Sequence, residues 1–191
     1  LVFNTTGNYN LAIGTEALRQ NTTGNYNLAI GTEALRENTI GSYNSAIGMN
    51  ALVFNTTGNY NLAIGTEALG DNSGSYNTAI GYRSLSMLNN GGQNTAMGYN
   101  AGKYQANGVS SLQTANNSVY IGYNSKGFNN SDNNSIVIGA DAVGIGANSV
   151  VLGNNNILTT ALKGNVGIGT TIPQGALDVV STTGAFIVPR M

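Results

Sequence analysis

The residues able to do chemistry are few, and the most suggestive of them are evenly spaced. Glu16, Glu33 and Glu67 hold equivalent places in a repeated sequence and are three of only eight carboxylates. A carboxylate ladder can serve as a glycosidase-like pair or as a Ca²⁺ site. The first needs two carboxyl groups in distinct environments, and the second needs six to eight oxygens. A column of equivalent glutamates meets neither condition and reads as a solvated edge. The chain has no His and no Cys. The usual general base, thiol nucleophile and soft metal ligands are therefore missing, and no catalytic, cofactor-binding or metal residue is assigned. An enzyme such as a polysaccharide depolymerase would require distant carboxylates from different chains to converge, with Asp132 and Asp141 as the residues to test.

Other motifs are equally bland. Gly144-Ile145-Gly146 and Gly167-Ile168-Gly169 resemble pieces of a phosphate-binding loop, but no helix is expected after them to hold an anion at its N-terminus. Asn4-Thr5-Thr6, Asn21-Thr22-Thr23 and Asn55-Thr56-Thr57 match the N-glycosylation acceptor pattern, yet each is also the turn of a repeat. The seven Lys and Arg residues form no basic cluster, so nucleic acid is not an expected partner.

The elements that carry these residues follow from the repeat. Gly7-Asn8-Tyr9-Asn10-Leu11-Ala12-Ile13-Gly14-Thr15-Glu16-Ala17-Leu18 returns almost letter for letter at Gly24 to Leu35 and at Gly58 to Leu69. Looser copies begin at Gly41 and Gly74, and a sixth is centred on Asn94 to Gly98. The period is 17 residues, with one 16-residue step before Gly74. A unit this small cannot bury its own apolar face and becomes stable by stacking on its neighbours. Tyr9 to Ile13 alternates with period 2, which predicts a short strand with Tyr9, Leu11 and Ile13 on one face and Asn10 and Ala12 on the other. Gly14 ends it, Ala17-Leu18 is a second apolar patch, and Asn21 to Gly24 is turn chemistry. About nine coils fit the chain.

Fixed slots across copies predict columns. Asn10, Asn27, Asn44, Asn61, Asn77 and Asn94 are expected to pass side-chain amide hydrogen bonds from coil to coil. Ala12, Ala29, Ala46, Ala63, Ala79 and Ala96 mark a place where another chain or another wall of the coil comes close. Ile13, Ile30, Ile47, Ile64, Ile80 and Met97 are expected to form the main apolar column, at ~1.5–3 kcal/mol for each burial. Tyr9, Tyr26, Tyr43, Tyr60 and Tyr76 make an aromatic column that Gln93 interrupts. Along the chain, this predicts a 17-residue-repeat β-roll over 1–106, a loop or insertion at 107–116, a second β-roll with 14- to 17-residue repeats at 117–153 and a neck and C-terminal connector over 154–191.

Only 8% of residues are charged and the net charge is −1, with 27 glycines and 31 asparagines. An ordinary soluble domain carries roughly 25% charge, and disordered chains combine low hydrophobicity with high net charge. A regular, uncharged all-β solid fits better. No apolar run reaches the ~20 residues of a membrane helix, so membrane insertion is not expected of this segment. Leu1 to Thr6 matches Leu52 to Thr57, as if the sequence starts within a coil of a longer fibre.

From Asn117 the pattern becomes Asn-Ser-x-x-Ile-Gly, as in Asn117-Ser118-Val119-Tyr120-Ile121-Gly122 and Asn134-Ser135-Ile136-Val137-Ile138-Gly139. Asn148-Ser149-Val150-Val151-Leu152-Gly153 follows 14 residues on. This segment resembles the head repeat of trimeric autotransporter adhesins, which implies a left-handed parallel β-roll of three chains about a common axis. The longer coils are more similar to the tail fibres of bacteriophages and of some large viruses. Lys163 to Pro173, followed by Ala176-Leu177-Asp178-Val179, resembles the segment that often precedes a terminal chaperone domain in phage fibres, and no such domain is recognisable by Met191.

The resemblance implies a homotrimeric, extracellular structural protein rather than an enzyme: a virion tail fibre that presents a host-receptor-binding tip. Its partners would be itself, the rest of the fibre or virion, and a host-surface glycan or protein. Two alternatives stay open: a bacterial cell-surface adhesin of the trimeric autotransporter kind, and an ice-binding β-solenoid with arrayed threonines.

Overall fold

A computed structural model describes residues 2–180; Leu1 and residues 181–191, which include the Pro189-Arg190-Met191 end of the expected connector, lie outside the described residues. The chain divides into two units, 1–156 and 157–191.

In the first unit each coil contributes one three-residue strand. These are β1 (Leu11–Ile13), β2 (Leu28–Ile30), β3 (Ser45–Ile47), β4 (Leu62–Ile64), β5 (Thr78–Ile80), β6 (Thr95–Met97), β7 (Val119–Ile121), β8 (Ile136–Ile138) and β9 (Val150–Leu152). They form one parallel sheet in chain order. The protein is an all-β solenoid of about eight turns, with no helix among the described residues. The register sets like against like: Ala12 pairs with Ala29, and the column continues through Ala46, Ala63, Ala79 and Ala96 to Tyr120, Val137 and Val151. In the second unit, β10 (Val166–Ile168) pairs in parallel with β11 (Leu177–Val179).

Three-residue strands suffice because hydrogen bonding between coils continues beyond them. The Leu18 N–H donates to the Ala34 carbonyl at 3.0 Å, Leu35 to Ala51 at 3.0 Å and Thr22 to Thr39 at 2.9 Å. Corners are turned by non-glycine residues in the left-handed region, with φ of 58° at Tyr9, 59° at Glu16 and 48° at Leu18, and with similar values in the following coils. Such a conformation costs ~1–2 kcal/mol per residue, so each needs compensation. At Leu18 it comes from complete burial.

The core reverses one expectation. The isoleucine column is not the main apolar column: Ile13 is 54% exposed, Met97 46%, and Ile30, Ile47, Ile64 and Ile80 only half-buried. The core cluster is built instead on the alanine column, with Ala29, Ala46, Ala63, Ala79 and Ala96 at 0% exposure, together with Leu18, Leu35, Leu52, Leu69 and Leu85 and the second buried alanine row that precedes those leucines at Ala17, Ala34, Ala51 and Ala68. Burial alternates as expected, but the strand is shorter than Tyr9 to Ile13, because Tyr9 turns a corner in the left-handed region, and the inner face is the Asn/Ala face. The lumen of one coil is too narrow for two rows of large side chains, so leucine from one wall meets alanine from the other. Where Tyr120 takes the alanine slot, Gly102 occupies the leucine slot beside it; a Cβ on Gly102 would lie 2.8 Å from the Tyr120 ring. Total side-chain volume is thereby conserved.

The expected asparagine ladder is present and turned inward. The Asn44 side-chain amide donates to Gly58 O at 2.8 Å and to Asn27 Oδ1 at 3.2 Å, and Asn44 Oδ1 accepts from the Asn61 backbone N–H at 3.0 Å. Serine continues the column, with Ser118 N–H donating to Asn94 Oδ1 at 3.0 Å and Ser135 N–H to Ser118 Oγ at 3.1 Å. A second ladder runs through Asn4, Asn21, Asn38 and Asn55, whose amides link at 2.8, 2.7 and 2.9 Å.

The segment 107–116 divides into two parts. Residues 107–110 are exposed, whereas Leu112 and Ala115 are fully buried in the core. The extra chain is a small hairpin closed by an antiparallel bridge between Tyr104 and Ser111.

The buried carboxylate of Asp132, at 0% exposure, organises the next coil. It accepts from the Tyr120 hydroxyl at 3.0 Å, the Ser135 hydroxyl at 2.7 Å and the Phe128 N–H at 3.1 Å. Burial, and then the Asp132 charge, push the Tyr120 hydroxyl far above the usual tyrosine range. Replacing Asp132 by alanine leaves the Tyr120 hydroxyl and Phe128 N–H without these acceptors. Asp132→Ala is expected to cost about 2–4 kcal/mol in urea unfolding, and Tyr120→Phe about 1 kcal/mol. Equal stability of Asp132→Ala and the parent would remove this carboxylate as an organising group.

Candidate functional site

Because alanine and asparagine face inward, the sheet presents its larger apolar side chains outward. Strands β1 to β9 contain no charged residue. Leu11 is 51% exposed and Ile13 54% at one end of the sheet, and Val150 is 60% and Leu152 55% at the other. Between them run the half-buried Ile30, Ile47, Ile64, Ile80 and Ile121. Ser45, Thr78 and Thr95 break the row that begins at Leu11, but the row from Ile13 to Leu152 is apolar in every strand; at about 4.8 Å per strand, its eight steps give an apolar strip roughly 40 Å long.

Two tyrosine stacks accompany this sheet. Tyr9, Tyr26, Tyr43, Tyr60 and Tyr76, just before the strands, stack with ring centroids 4.8, 5.0, 4.8 and 5.2 Å apart. Tyr82, Tyr99 and Tyr123, two residues after their strands, stack at 5.1 and 5.3 Å. The aromatic column thus changes flank at the fifth coil, which holds both Tyr76 and Tyr82. Stacking worth ~0.5–1.5 kcal/mol per pair compensates the left-handed corner at the first set. Where the stack ends, the same corner is held by Gln93, Asn117, Asn134 and Asn148.

The glutamates are tied to arginines. Glu16 pairs with Arg19 at 3.4 Å, Arg36 binds Glu33 and Glu37, and Arg83 grips Glu67 through Nε at 2.6 Å and Nη2 at 3.0 Å. Asn50 interrupts the column between Glu33 and Glu67. The hydrogen bonds from Arg83 hold the Glu67 carboxyl below the usual carboxylate range. Its contribution is therefore present above that range and lost as the pH falls through the lowered value. It is small, since both side chains remain about one-third exposed.

Asp132 is sealed in the core, whereas Asp141 is 55% exposed at its side chain and lies 3.8 Å from Lys126. Among the described residues no group of three or more acidic side chains is placed to hold a metal ion. No helix follows either Gly-Ile-Gly segment among the described residues.

The threonines and asparagines of the turns are engaged internally. Hydroxyls of Thr5, Thr22 and Thr39 donate to the carbonyls of Thr22, Thr39 and Thr56 at 2.8, 2.8 and 2.9 Å. Asn21 and Asn55 are fully buried, so the glycosylation pattern there marks ladder positions. The sequence reading missed this second ladder because Asn-Thr-Thr-Gly is a sufficient turn signal by itself. The spacing of Asn4, Asn21, Asn38 and Asn55 was the available clue. Comparison of the chain with protein-family profiles, with curated proteins and with solved structures finds no match in any of the three.

Proposed function

We propose that the chain is a structural segment of an extracellular fibre of three identical chains, of the phage tail-fibre kind, which extends and presents a host-receptor-binding tip. The observation that carries this reading is the uncharged apolar face along β1 to β9. A contiguous apolar strip of this length on a single chain marks an association surface. A column that is apolar in every coil, from Ile13 through Met97 to Leu152, can pack on the same column of further copies. The alanine column, by contrast, is accounted for within one chain and lends the trimer no support. The number three comes from the resemblance of the Asn-Ser-x-x-Ile-Gly repeats to trimeric adhesin heads. As a fibre, the assembly works mechanically: it holds its tip away from the particle and presents each weak contact three times, raising avidity without new contacts.

Light scattering at low micromolar concentration tests this. The parent is expected at three times 19.6 kDa and to keep that mass on dilution. The double variant Ile47→Lys, Ile64→Lys buries two unpaired charges at the seam and is expected to run as a folded monomer. A stable monomer of the parent overturns the proposal.

A further inference from the structure

The regular repeat lapses at one corner, and the lapse leaves a hollow. The slot held by Arg19 and Arg36 passes to Val53, then to Gly70, Ser86 and Lys103. Gly70 contributes no side chain, and a Cβ there would meet only carbonyl oxygens at 3.5 Å. The result is a half-open concavity of about 430 Å³ between the third and sixth coils, with Tyr104 and Ser111 of the small hairpin in its lining. This lies within the ~300–1,000 Å³ range of small-molecule sites.

The lining holds polar groups that the protein itself does not satisfy. Lys103 is only 8% exposed, and its ammonium lies 4.8 Å from the Tyr104 ring centroid with no carboxylate within 4.0 Å among the described residues. Ser86 is 5% exposed and its hydroxyl has no hydrogen-bond partner among the described residues. Among the described residues the Asp71 carboxylate forms no ion pair or side-chain hydrogen bond, and burial followed by the nearby Glu67 charge raises it above the usual range. Arg83 and Glu67 also line the space but satisfy each other. Phe54 and Tyr104 add aromatic surface.

The Ser86 hydroxyl is buried without a partner, which is costly, and Lys103 and the half-buried Asp71 line the same space with their charges unpaired, a lining that fits an occupant. The occupant must donate to a carboxylate, accept from an ammonium and a hydroxyl, and offer an apolar face to aromatic rings. With two cations and two carboxylates in the lining, neither a phosphate nor a polyamine gains net attraction. A polyhydroxylated ring meets every condition, since each hydroxyl both donates and accepts and the C–H face packs on aromatic rings.

We propose that this concavity binds one neutral pyranose unit of a glycan, with Asp71, Lys103 and Ser86 as hydrogen-bonding groups and Phe54 and Tyr104 as apolar walls. The site lies within a single chain and stands whether or not the chain forms trimers.

The test is saturation-transfer NMR on the full chain with the methyl pyranosides of glucose, galactose, mannose and N-acetylglucosamine, each at about 10 mM, tenfold above a Kd of about 1 mM. At least one is expected to bind. Asp71→Asn and Tyr104→Ala are each expected to weaken that binding tenfold or more, with unfolding midpoints like the parent's, while Asp141→Asn leaves it unchanged. Lys103→Met provides a second reading at the buried cation and should also weaken binding tenfold. No saturation transfer with any of the four glycosides overturns the proposal. So does binding that survives both Asp71→Asn and Tyr104→Ala, which would place the sugar on the exposed tyrosine stacks, or a preference for glucuronic acid over the neutral sugars, which would make this an anion site.

Discussion

Gly48→Ala is expected to cost about 3–5 kcal/mol and to abolish cooperative unfolding of the central coils. Gly48 follows β3 with φ of +136°, and a Cβ built on it lies 2.6 Å from both the carbonyl carbon and oxygen of Gly65 in the next coil. Backbone atoms cannot step aside as a flexible side chain can, so the coils must separate locally. Left-handed strain adds ~1–3 kcal/mol and overpacking a similar amount. The glycines after each strand from Gly14 to Gly98 share this geometry. The measurement is chemical denaturation followed by far-ultraviolet circular dichroism, with Gly175→Ala as the control because nothing lies within 4 Å of its added Cβ. Equal midpoints for parent and Gly48→Ala would mean that coil spacing is looser than the structure has it.

The second large effect lies in the asparagine ladder. Asn44 is fully buried, and removing its side chain leaves the Asn61 N–H without an acceptor and a void beside it. Asn44→Ala is expected to destabilise by about 2–4 kcal/mol. Asn44→Asp is the sharper probe. It sets a carboxylate oxygen against Gly58 O and Asn27 Oδ1, where the native amide donates at 2.8 and 3.2 Å. Burial and facing acceptors raise the folded pKa of the new group above its unfolded value of about 3.9. Its protonated form donates as the amide does, so stability is present below about pH 4 and lost as the pH rises through the raised value. Urea unfolding at about pH 3 and pH 7 is expected to show the variant closer to the parent at the lower pH. The reverse order would mean that the amide does not donate within the ladder.

Both effects arise from features legible in the primary structure. A recurring Gly-x-Tyr-Asn-x-Ala-Ile-Gly unit carries its own strand, corners and stacking rule, because identical side chains one strand apart repeat the same contacts. The asparagine column and the stacked tyrosines were likewise readable as fixed slots. The second ladder through Asn21, Asn38 and Asn55 was hidden by its own turn-forming neighbours. The corner hollow was not readable at all, since a glycine at position 70 and a lysine at position 103 acquire meaning only when successive coils bring them to one wall.

By itself the sequence determined that this chain is a repetitive, weakly charged β-structure whose coils stack in register, because period and alternation are local properties of the chain. Only the tertiary structure decided which face of the strand is inside. Alternation marks two faces without ranking them, and a hydrophobicity rule would place Ile47 and Ile64 in the core. The lumen of a single coil has room for one row of leucines, for two rows of alanines and for asparagines bonded to neighbouring backbone. Steric volume and hydrogen-bond satisfaction therefore assign Ala46 and Asn44 to the interior and leave the isoleucines on the outer face.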